Sequence, residues 1–173
     1  SSPSRVGGII DGTNLDGPHS IVYEASGDLL FVACYDDDAL TVLSVADDAA
    51  SPVVLGSVSS TSYMDNPHYV ASFPAAGLVF VTGSGSDSVC VVDVSDPSTP
   101  TVVEGLVDST YMDGAYGIAW DPAAKLLFAT GQDSDSLAVM SVAGSPNPTN
   151  LPSPPPSLSL APTPSPTSWT YGK

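Results

Sequence analysis

The sequence repeats itself every 48 to 49 residues, and this repeat limits the possible folds more than any other feature. Three segments, which begin at Gly17, Asn66 and Gly114, align without gaps. They read GPHSIVYEASGDLLFVACYDDDALTVLSV, NPHYVASFPAAGLVFVTGSGSDSVCVVDV and GAYGIAWDPAAKLLFATGQDSDSLAVMSV. Three positions recur in register: Phe31, Phe80 and Phe128; Asp16, Asp65 and Asp113; and Asp38, Asp87 and Asp135. A fixed period of this length is typical of chains built from stacked, equivalent units.

Each unit predicts four short strands. In the second unit the strands are HYVAS, LVFVTG, VCVVDV and TVVEGLV, and the turns FPAAG, SGSDS and SDPSTP separate them. Runs such as LLFVA are apolar at nearly every position, which indicates strands that are covered on both faces. Four strands in each repeat of 40 to 50 residues are typical of a β-propeller blade. The sequence therefore predicts an all-β domain over residues 1–144, with three four-stranded blades in units of about 5–52, 53–100 and 101–143.

A family resemblance supports this prediction. The string CVVDVSDPSTPTVVEGLV, followed by GAYGIAW and LLFATG, resembles the LVIVD repeat, a β-propeller repeat of secreted and surface proteins. The patterns PH..V and D..V.V.DV are similar to the related YVTN-type propeller repeats. The resemblance covers roughly residues 5–143 and departs in the first unit, where ADDAASP stands in place of SDPSTP. It implies a propeller fold and says little about function, because propellers carry many functions.

The strand count raises the question of how the array closes. The segment RVGGII (5–10) matches the fourth strands VVLGSV and TVVEGL, so we expect it to be a fourth strand that completes the last unit, whose own three strands end at Val142. Three blades are too few to close a ring, and an open stack exposes apolar surface. We therefore expect an incomplete ring. Either a second copy completes six blades, with exchange of the terminal strand as one route, or the array packs on neighbours.

Residues 145–168, SPNPTNLPSPPPSLSLAPTPSPTS, carry no charge and no hydrophobic period. Proline at this density favours an extended polyproline II rod, and a flexible linker is the alternative. The Ser-Pro and Thr-Pro alternation resembles the hydroxyproline-rich glycoproteins of plant and green-algal walls and surface appendages. That resemblance implies hydroxylation and O-glycosylation at Pro152, Pro154, Pro155, Pro156, Pro162, Pro164, Pro166, Ser153, Ser157 and Ser165. The aromatic end segment 169–173 would dock on a neighbour or begin a further module.

The charge balance excludes several classes of partner. The chain carries 19 acidic and 3 basic residues, for a formal net charge of -16. Nucleic acids and anionic membrane surfaces require clustered Lys and Arg, so neither is an expected partner. No apolar run approaches the roughly 20 residues of a membrane span. The opening SSPSRVGG does not look like a signal peptide, so we expect a leader to have been removed or the chain to be part of a longer protein.

Three groups of residues are candidate sites. Asp16, Asp65 and Asp113 precede the first strands, and His19, His68 and Tyr116 follow three residues later; together they would ring one mouth of the propeller. There they would hold a metal or a sugar, or serve only as turn caps and cross-blade contacts. Asp36, Asp37 and Asp38 are weak candidates for Ca²⁺, with a solvated turn as the alternative and no other cofactor expected. Cys34 and Cys90 are either buried thiols or, in a secreted protein, a possible disulfide.

Catalytic motifs are missing from the sequence. It holds no G-x-S-x-G, no P-loop and no G-x-G-x-x-G after a strand, so we expect no enzyme activity. The predicted function is that of an extracellular structural protein, which self-associates through its blades and an O-glycosylated rod in a filament, cell wall or surface appendage. Its expected partners are copies of itself or neighbouring modules, with covalent glycans. The alternative is a ligand-binding or carbohydrate-binding adhesive propeller.

Overall fold

A computed structural model describes residues 2–142, which are almost entirely β-strand and turn. The strands are β1 (Pro18–Glu24), β2 (Leu29–Cys34), β3 (Ala39–Ser44), β4 (Val53–Ser59), β5 (Pro67–Phe73), β6 (Leu78–Gly83), β7 (Ser88–Asp93), β8 (Thr101–Val107), β9 (Ala115–Asp121), β10 (Leu126–Gly131) and β11 (Ser136–Ser141). A single-turn 3₁₀ helix, Pro74–Ala76, lies between β5 and β6. None of the helical residues in this part of the chain forms a helix long and apolar enough for a membrane span.

The strands form three antiparallel sheets, which we call blades 1, 2 and 3. Blade 1 has the order β1-β2-β3-β4, blade 2 the order β5-β6-β7-β8, and blade 3 the order β9-β10-β11. This arrangement confirms the predicted all-β, propeller-like array. Each blade begins at the first strand of its repeat, whereas the predicted units begin with a fourth strand.

The turn between the second and third strands explains one of the recurring aspartates. Asp38, Asp87 and Asp135 have φ angles of 50°, 49° and 50°, in the left-handed region. Asp tolerates this conformation better than most residues because its short side chain bonds locally to the backbone. The turn therefore selects Asp at the same position in each repeat.

Neighbouring blades pack through two apolar faces. We call the face towards the next blade along the chain the front face, and the face towards the preceding blade the back face. Phe31 and Leu40, on the front of blade 1, share one core cluster with Val79 and Val92 on the back of blade 2. Blade 2 packs on blade 3 in the same way, through Phe80 and Val89 on its front and Leu127 and Ala129 on the back of blade 3. Because alternate residues serve opposite faces, the strands of a covered blade are apolar throughout.

The first strands lie side by side, with β1 against β5 and β5 against β9. Hydrogen bonds near the beginnings of these first strands link each blade to the next. The Oγ1 hydroxyl of Thr82 in β6, for example, donates to the carbonyl of Tyr116 in β9 over 2.6 Å. The loops before the first strands therefore meet at one end of the array, and they position the candidate site.

The prediction for RVGGII is wrong. Residues 5–10 form no strand and lie against blade 1, where the Gly8 amide donates to the Ala50 carbonyl over 2.9 Å. Ile9 packs against the cluster that holds Val32 and Leu43, on the back face of blade 1. The strand that it was predicted to join, β11, belongs to blade 3 on the far side of blade 2. A fourth strand needs a third strand beside it, and the open array does not bring β11 to this position.

The predicted rod at 145–168, its modified prolines and serines, and the end segment 169–173 all lie outside the described residues. They stay predictions from the sequence.

Candidate functional site

An irregularity at the beginning of each first strand turns side chains towards the mouth of the array. The strand register shifts between Pro18 and Ser20 in blade 1 and between Pro67 and Val70 in blade 2. In blade 3 the register shifts between Ala129 and Gly131 of β10, which lie opposite Ile118 and Ala115 of β9. Bulges of this kind re-aim the residues within them. The residues affected are those that the repeat aligns, His19, His68 and Tyr116.

These residues form a row of aromatic rings that crosses all three blades. The rings of His19 and His68 have centroids 4.8 Å apart, and those of His68 and Tyr116 are 4.3 Å apart. Tyr35, which follows β2, stacks on His19 at 4.8 Å with an interplanar angle of 20°. The structure thus brings together the rings of three of the six residues that the sequence analysis placed at the mouth, and it adds Tyr35 to them.

The two histidines contact each other directly. Nδ1 of His19 lies 2.9 Å from Nδ1 of His68, so one nitrogen donates a proton and the other accepts it. Burial and the nearby charge of His19 lower the pKa of His68 below its ordinary value. Both effects disfavour a doubly protonated pair, because two imidazolium rings cannot share this bond. The pair is a bridge between blades 1 and 2 that requires at least one neutral ring.

The three aspartates before the first strands hold the loops of their own blades through their backbones. The Asp16 amide donates to Oδ2 of Asp37 over 2.9 Å. The carbonyls of Asp65 and Asp113 accept bonds of 3.0 Å from the amides of Gly85 and Asp133. These contacts position the loops and leave the ring faces as the main surface of the row.

In the acidic turn of blade 1, Asp36 to Asp38, two of the carboxylates accept hydrogen bonds from backbone amides. Oδ1 of Asp38 accepts the amide of Asn66 over 2.8 Å, and Asp37 receives the amide of Asp16. Within residues 2–142 no three His, Cys, Asp or Glu side chains are grouped so that they could hold a metal ion. The three carboxylates therefore do not form a coordination sphere, and a calcium requirement stays a prediction.

Cross-blade bonds from the repeated aspartate are a feature that the sequence analysis missed. Oδ1 of Asp87 accepts the Gly114 amide over 3.1 Å, as Asp38 does for Asn66 one blade earlier. Each carboxylate reaches the left-handed residue that begins the next blade, with φ angles of 52° at Asn66 and 62° at Gly114. The signal was in the sequence, because both partners recur in register.

A polar hollow of about 400 Å³ lies beside the aromatic row, between blades 2 and 3. Its lining includes His68, Ser84, Tyr116, Gln132 and Asp133. Ring faces beside amide and carboxylate groups suit a small polar ligand that carries hydroxyl groups. Gln132 and Asp133 lie in the turn between β10 and β11.

The two cysteines are free and buried, so the possible disulfide is not formed. Cys34 belongs to the cluster on the back of blade 1, and Cys90 to the core between blades 1 and 2. Burial raises the pKa of Cys34 to about 11 and that of Cys90 to about 12. Both thiols stay protonated near neutral pH, which makes them poor nucleophiles and poor metal ligands.

Comparison with known proteins supports the propeller architecture. No family model matches the chain, and no curated protein matches it. Among solved structures, a putative 6-phosphogluconolactonase from Bacteroides uniformis is 20% identical with a TM-score of 0.61, over 77% of this chain and 38% of that one. A protein from Lactobacillus plantarum is 17% identical with a TM-score of 0.57, over 72% of this chain and 41% of that one. The chain thus spans about two fifths of the length of these structural neighbours, which are β-propeller-like proteins.

The expectation of no enzyme activity is corrected by these comparisons. A second putative 6-phosphogluconolactonase, from Bacteroides fragilis, matches with a TM-score of 0.59 and 14% identity over 73% of this chain and 38% of that one. Enzyme-like proteins thus share this blade arrangement, so the lack of the familiar catalytic motifs does not exclude catalysis in a propeller. At these identities the likeness concerns the fold alone.

Proposed function

We propose that this chain is an extracellular assembly protein, in which LVIVD-like propeller blades associate with further copies and the Ser/Pro-rich segment 145–168 supplies an extended, O-glycosylated rod. The setting that fits these parts is a filament, a cell wall or a surface appendage. The observation that carries the proposal is the open front face of blade 3. Leu137 and Val139 are each 56% exposed there, although residues at the same positions in blades 1 and 2 are covered by the next blade.

Two further observations support assembly. Large exposed apolar side chains grouped on one sheet face are typical of surfaces that bind another protein. The charge of -16 keeps the remaining surface solvated and discourages non-specific association. Together they favour a specific contact through the few apolar faces.

The test combines mass and modification. Light scattering on the purified protein should give a mass above that of one chain, and a monomer at all concentrations would contradict assembly. Mass spectrometry of the 145–168 peptide from the native source should find hydroxylated prolines that carry pentoses. Unmodified prolines and serines there would contradict the O-glycosylated rod, and association through the blades would remain as the proposal.

The polar hollow favours a second candidate function, the binding of a carbohydrate at the mouth. Tyr116 and His68 would stack on a sugar ring. The Gln132 side chain would donate a hydrogen bond to a sugar hydroxyl oxygen, and the Asp133 carboxylate would accept one from a sugar hydroxyl group. Calorimetry with a panel of sugars tests this function. Binding that is lost in Tyr116→Ala and kept in Tyr111→Ala, an exposed tyrosine elsewhere, would support it.

A further inference from the structure

The molecule packs one blade on the next twice, each time with the front face of one blade against the back face of another. Within the chain, the front of blade 1 packs on the back of blade 2, and the front of blade 2 packs on the back of blade 3. In the part of the chain that the structure describes, the front of blade 3 and the back of blade 1 meet no further blade. Because the repeat makes the blades equivalent, each open face has a known counterpart in a covered one.

The front of blade 3 carries the side chains that a following blade would cover. Leu137 corresponds to Val89, which is 2% exposed, and to Leu40, which is fully buried. Phe128 corresponds to the buried Phe31 and Phe80 and is itself only half-buried. At these positions the front of blade 3 is therefore apolar, as the two covered front faces are.

Its polar groups are repeated too. Thr130 corresponds to Thr82, and each hydroxyl accepts the amide of a residue in its own first strand. The Thr82 hydroxyl also donates to the next blade, whereas Thr130 is exposed and residues 2–142 supply no following blade for it to reach. Asp135 is likewise exposed, and it has the same left-handed turn conformation as Asp87, which binds the Gly114 amide of blade 3.

The back of blade 1 is the matching half. Ile21 corresponds to Val70, but Ile21 is 60% exposed and Val70 only 8%. Beside Ile21 the sheet forms a cavity of about 320 Å³ with Leu30 and Val32 in its lining. Gly17, with a φ of 58°, stands where Asn66 and Gly114 receive the carboxylates of the preceding blades.

The N-terminal segment, residues 6–15, lies on blade 1 as β4 and its turn lie on blade 2. The Leu15 amide donates to the Asp11 carbonyl over 2.9 Å, and the corresponding Met64 amide donates to the Ser60 carbonyl over 2.6 Å. Gly7 passes close beneath the Ala50 carbonyl, as Gly56 passes beneath the loop of Ser98 and Pro100. This segment is thus positioned as a fourth strand whose third strand is missing from residues 2–142.

We infer that copies of this chain associate head to tail, with the front of blade 3 of one copy on the back of blade 1 of the next. In this contact β11 pairs with the N-terminal segment of the other copy, which completes blade 3 with a fourth strand. The register of β3 with β4, where Leu40 lies opposite Val58, places Leu137 opposite Ile9 of the other copy. Thr130 and Asp135 then reach the His19 carbonyl and the Gly17 amide of that copy. A contact between two different faces closes into a ring or continues as a filament, depending on the rotation between copies. This inference rests on the proposed assembly function and specifies its contact.

Complementation between two variants tests the inference. Leu137→Asp places a carboxylate on the front face, and Ile21→Asp places one on the back face. Burial of an unpaired carboxylate is unfavourable, so each variant alone should weaken association by about tenfold or more in sedimentation equilibrium. An equimolar mixture should recover dimers and no larger species, because the intact front of one variant meets the intact back of the other. Val107→Asp, an equally exposed site on the outer strand of the covered blade 2, is the control and should associate like the unmodified chain.

A disulfide trap tests the register. Oxidation of a mixture of Ile9→Cys and Leu137→Cys should link the two variants as a heterodimer, and neither variant alone should form this link. The native thiols are buried and do not compete.

The outcomes separate this inference from the function on which it rests. If the unmodified chain is a monomer throughout, both fail. If it associates and the two Asp variants associate equally well, or if mixing recovers nothing although near-ultraviolet circular dichroism shows both variants folded, the head-to-tail contact is wrong and assembly stands.

Discussion

A single aspartate in each repeat has two roles in this fold. Asp38 and Asp87 adopt a left-handed turn conformation, and their carboxylates bind the backbone amide that begins the next blade. A glycine would suit the turn equally well but would leave that amide without its partner. The residue type is therefore set by the contact between blades as well as by the turn.

The chain contains its own control for the cross-blade bond. Asp87→Ala removes the bond to Gly114, whereas Asp135→Ala alters the same left-handed turn at a blade that no other blade of the described chain follows. Both lose the tolerance of Asp for this conformation, so the difference between them isolates the bond. Under conditions where the protein is monomeric, urea unfolding should show Asp87→Ala less stable than Asp135→Ala by about 1 kcal/mol. Equal losses would assign the recurrence of Asp to the turn alone.

The histidine pair makes stability depend on pH. The pKa of His68 is lowered in the folded state, so the unfolded state binds more protons as the pH falls through the ordinary value of about 6.5. The free energy of unfolding should therefore decrease from pH 7 to pH 5. His19, Tyr35 and Tyr116 are the titratable side chains that stack around His68.

Four carboxylates have a lowered pKa in the folded state: Asp11, Glu24, Asp93 and Asp96. The stability that they contribute is lost only at lower pH, as the pH falls below their pKa in the unfolded state, which is near 4.

Denaturant unfolding at a series of pH values checks this expectation. His68→Gln should flatten the profile between pH 7 and pH 5 because it removes the group whose pKa is shifted. A variant profile parallel to that of the unmodified protein would show that His68 does not cause the dependence.

At the scale of the strands, the sequence predicts those elements that depend only on the local pattern of apolar and turn residues. LVFVTG and TVVEGLV coincide with β6 and β8, because apolar runs between Pro, Gly and Asp turns leave few alternatives. RVGGII has a similar pattern and forms no strand, since a strand also requires a neighbour that the local sequence does not reveal. The pattern and the partner are thus separate requirements, and only the first is readable from one chain.

In the candidate site, too, some features are predictable from the sequence and others are not. The repeat placed His19, His68 and Tyr116 together because equivalent residues of adjacent blades must lie side by side. The bond between the two histidine nitrogens and the entry of Gln132 and Asp133 into the hollow depend on the angle between blades and on turn geometry. Neither quantity follows from the spacing of residues along the chain.

At the scale of the whole molecule, apolar faces and a large negative charge act against each other. Each copy carries 19 acidic and 3 basic residues, so two copies repel each other at low ionic strength. The open faces contribute Phe128, Leu137, Val139 and Ile21, whose burial does not depend on charge. Salt screens the repulsion over about 10 Å at 0.1 M and leaves the apolar contact intact.

Association should therefore strengthen with salt. Sedimentation equilibrium at about 0.02 M and about 0.5 M NaCl should show a lower dissociation constant at the higher concentration, because the Debye length shrinks below the separation of the surface charges. Leu137→Asp should associate about tenfold or more weakly than the unmodified chain at both concentrations, which separates a contact through this face from general salting-out. An interface built on ion pairs would have the opposite dependence, and weaker association at high salt would mean that the three basic residues, Arg5, Lys125 and Lys173, hold the copies together in place of the apolar faces.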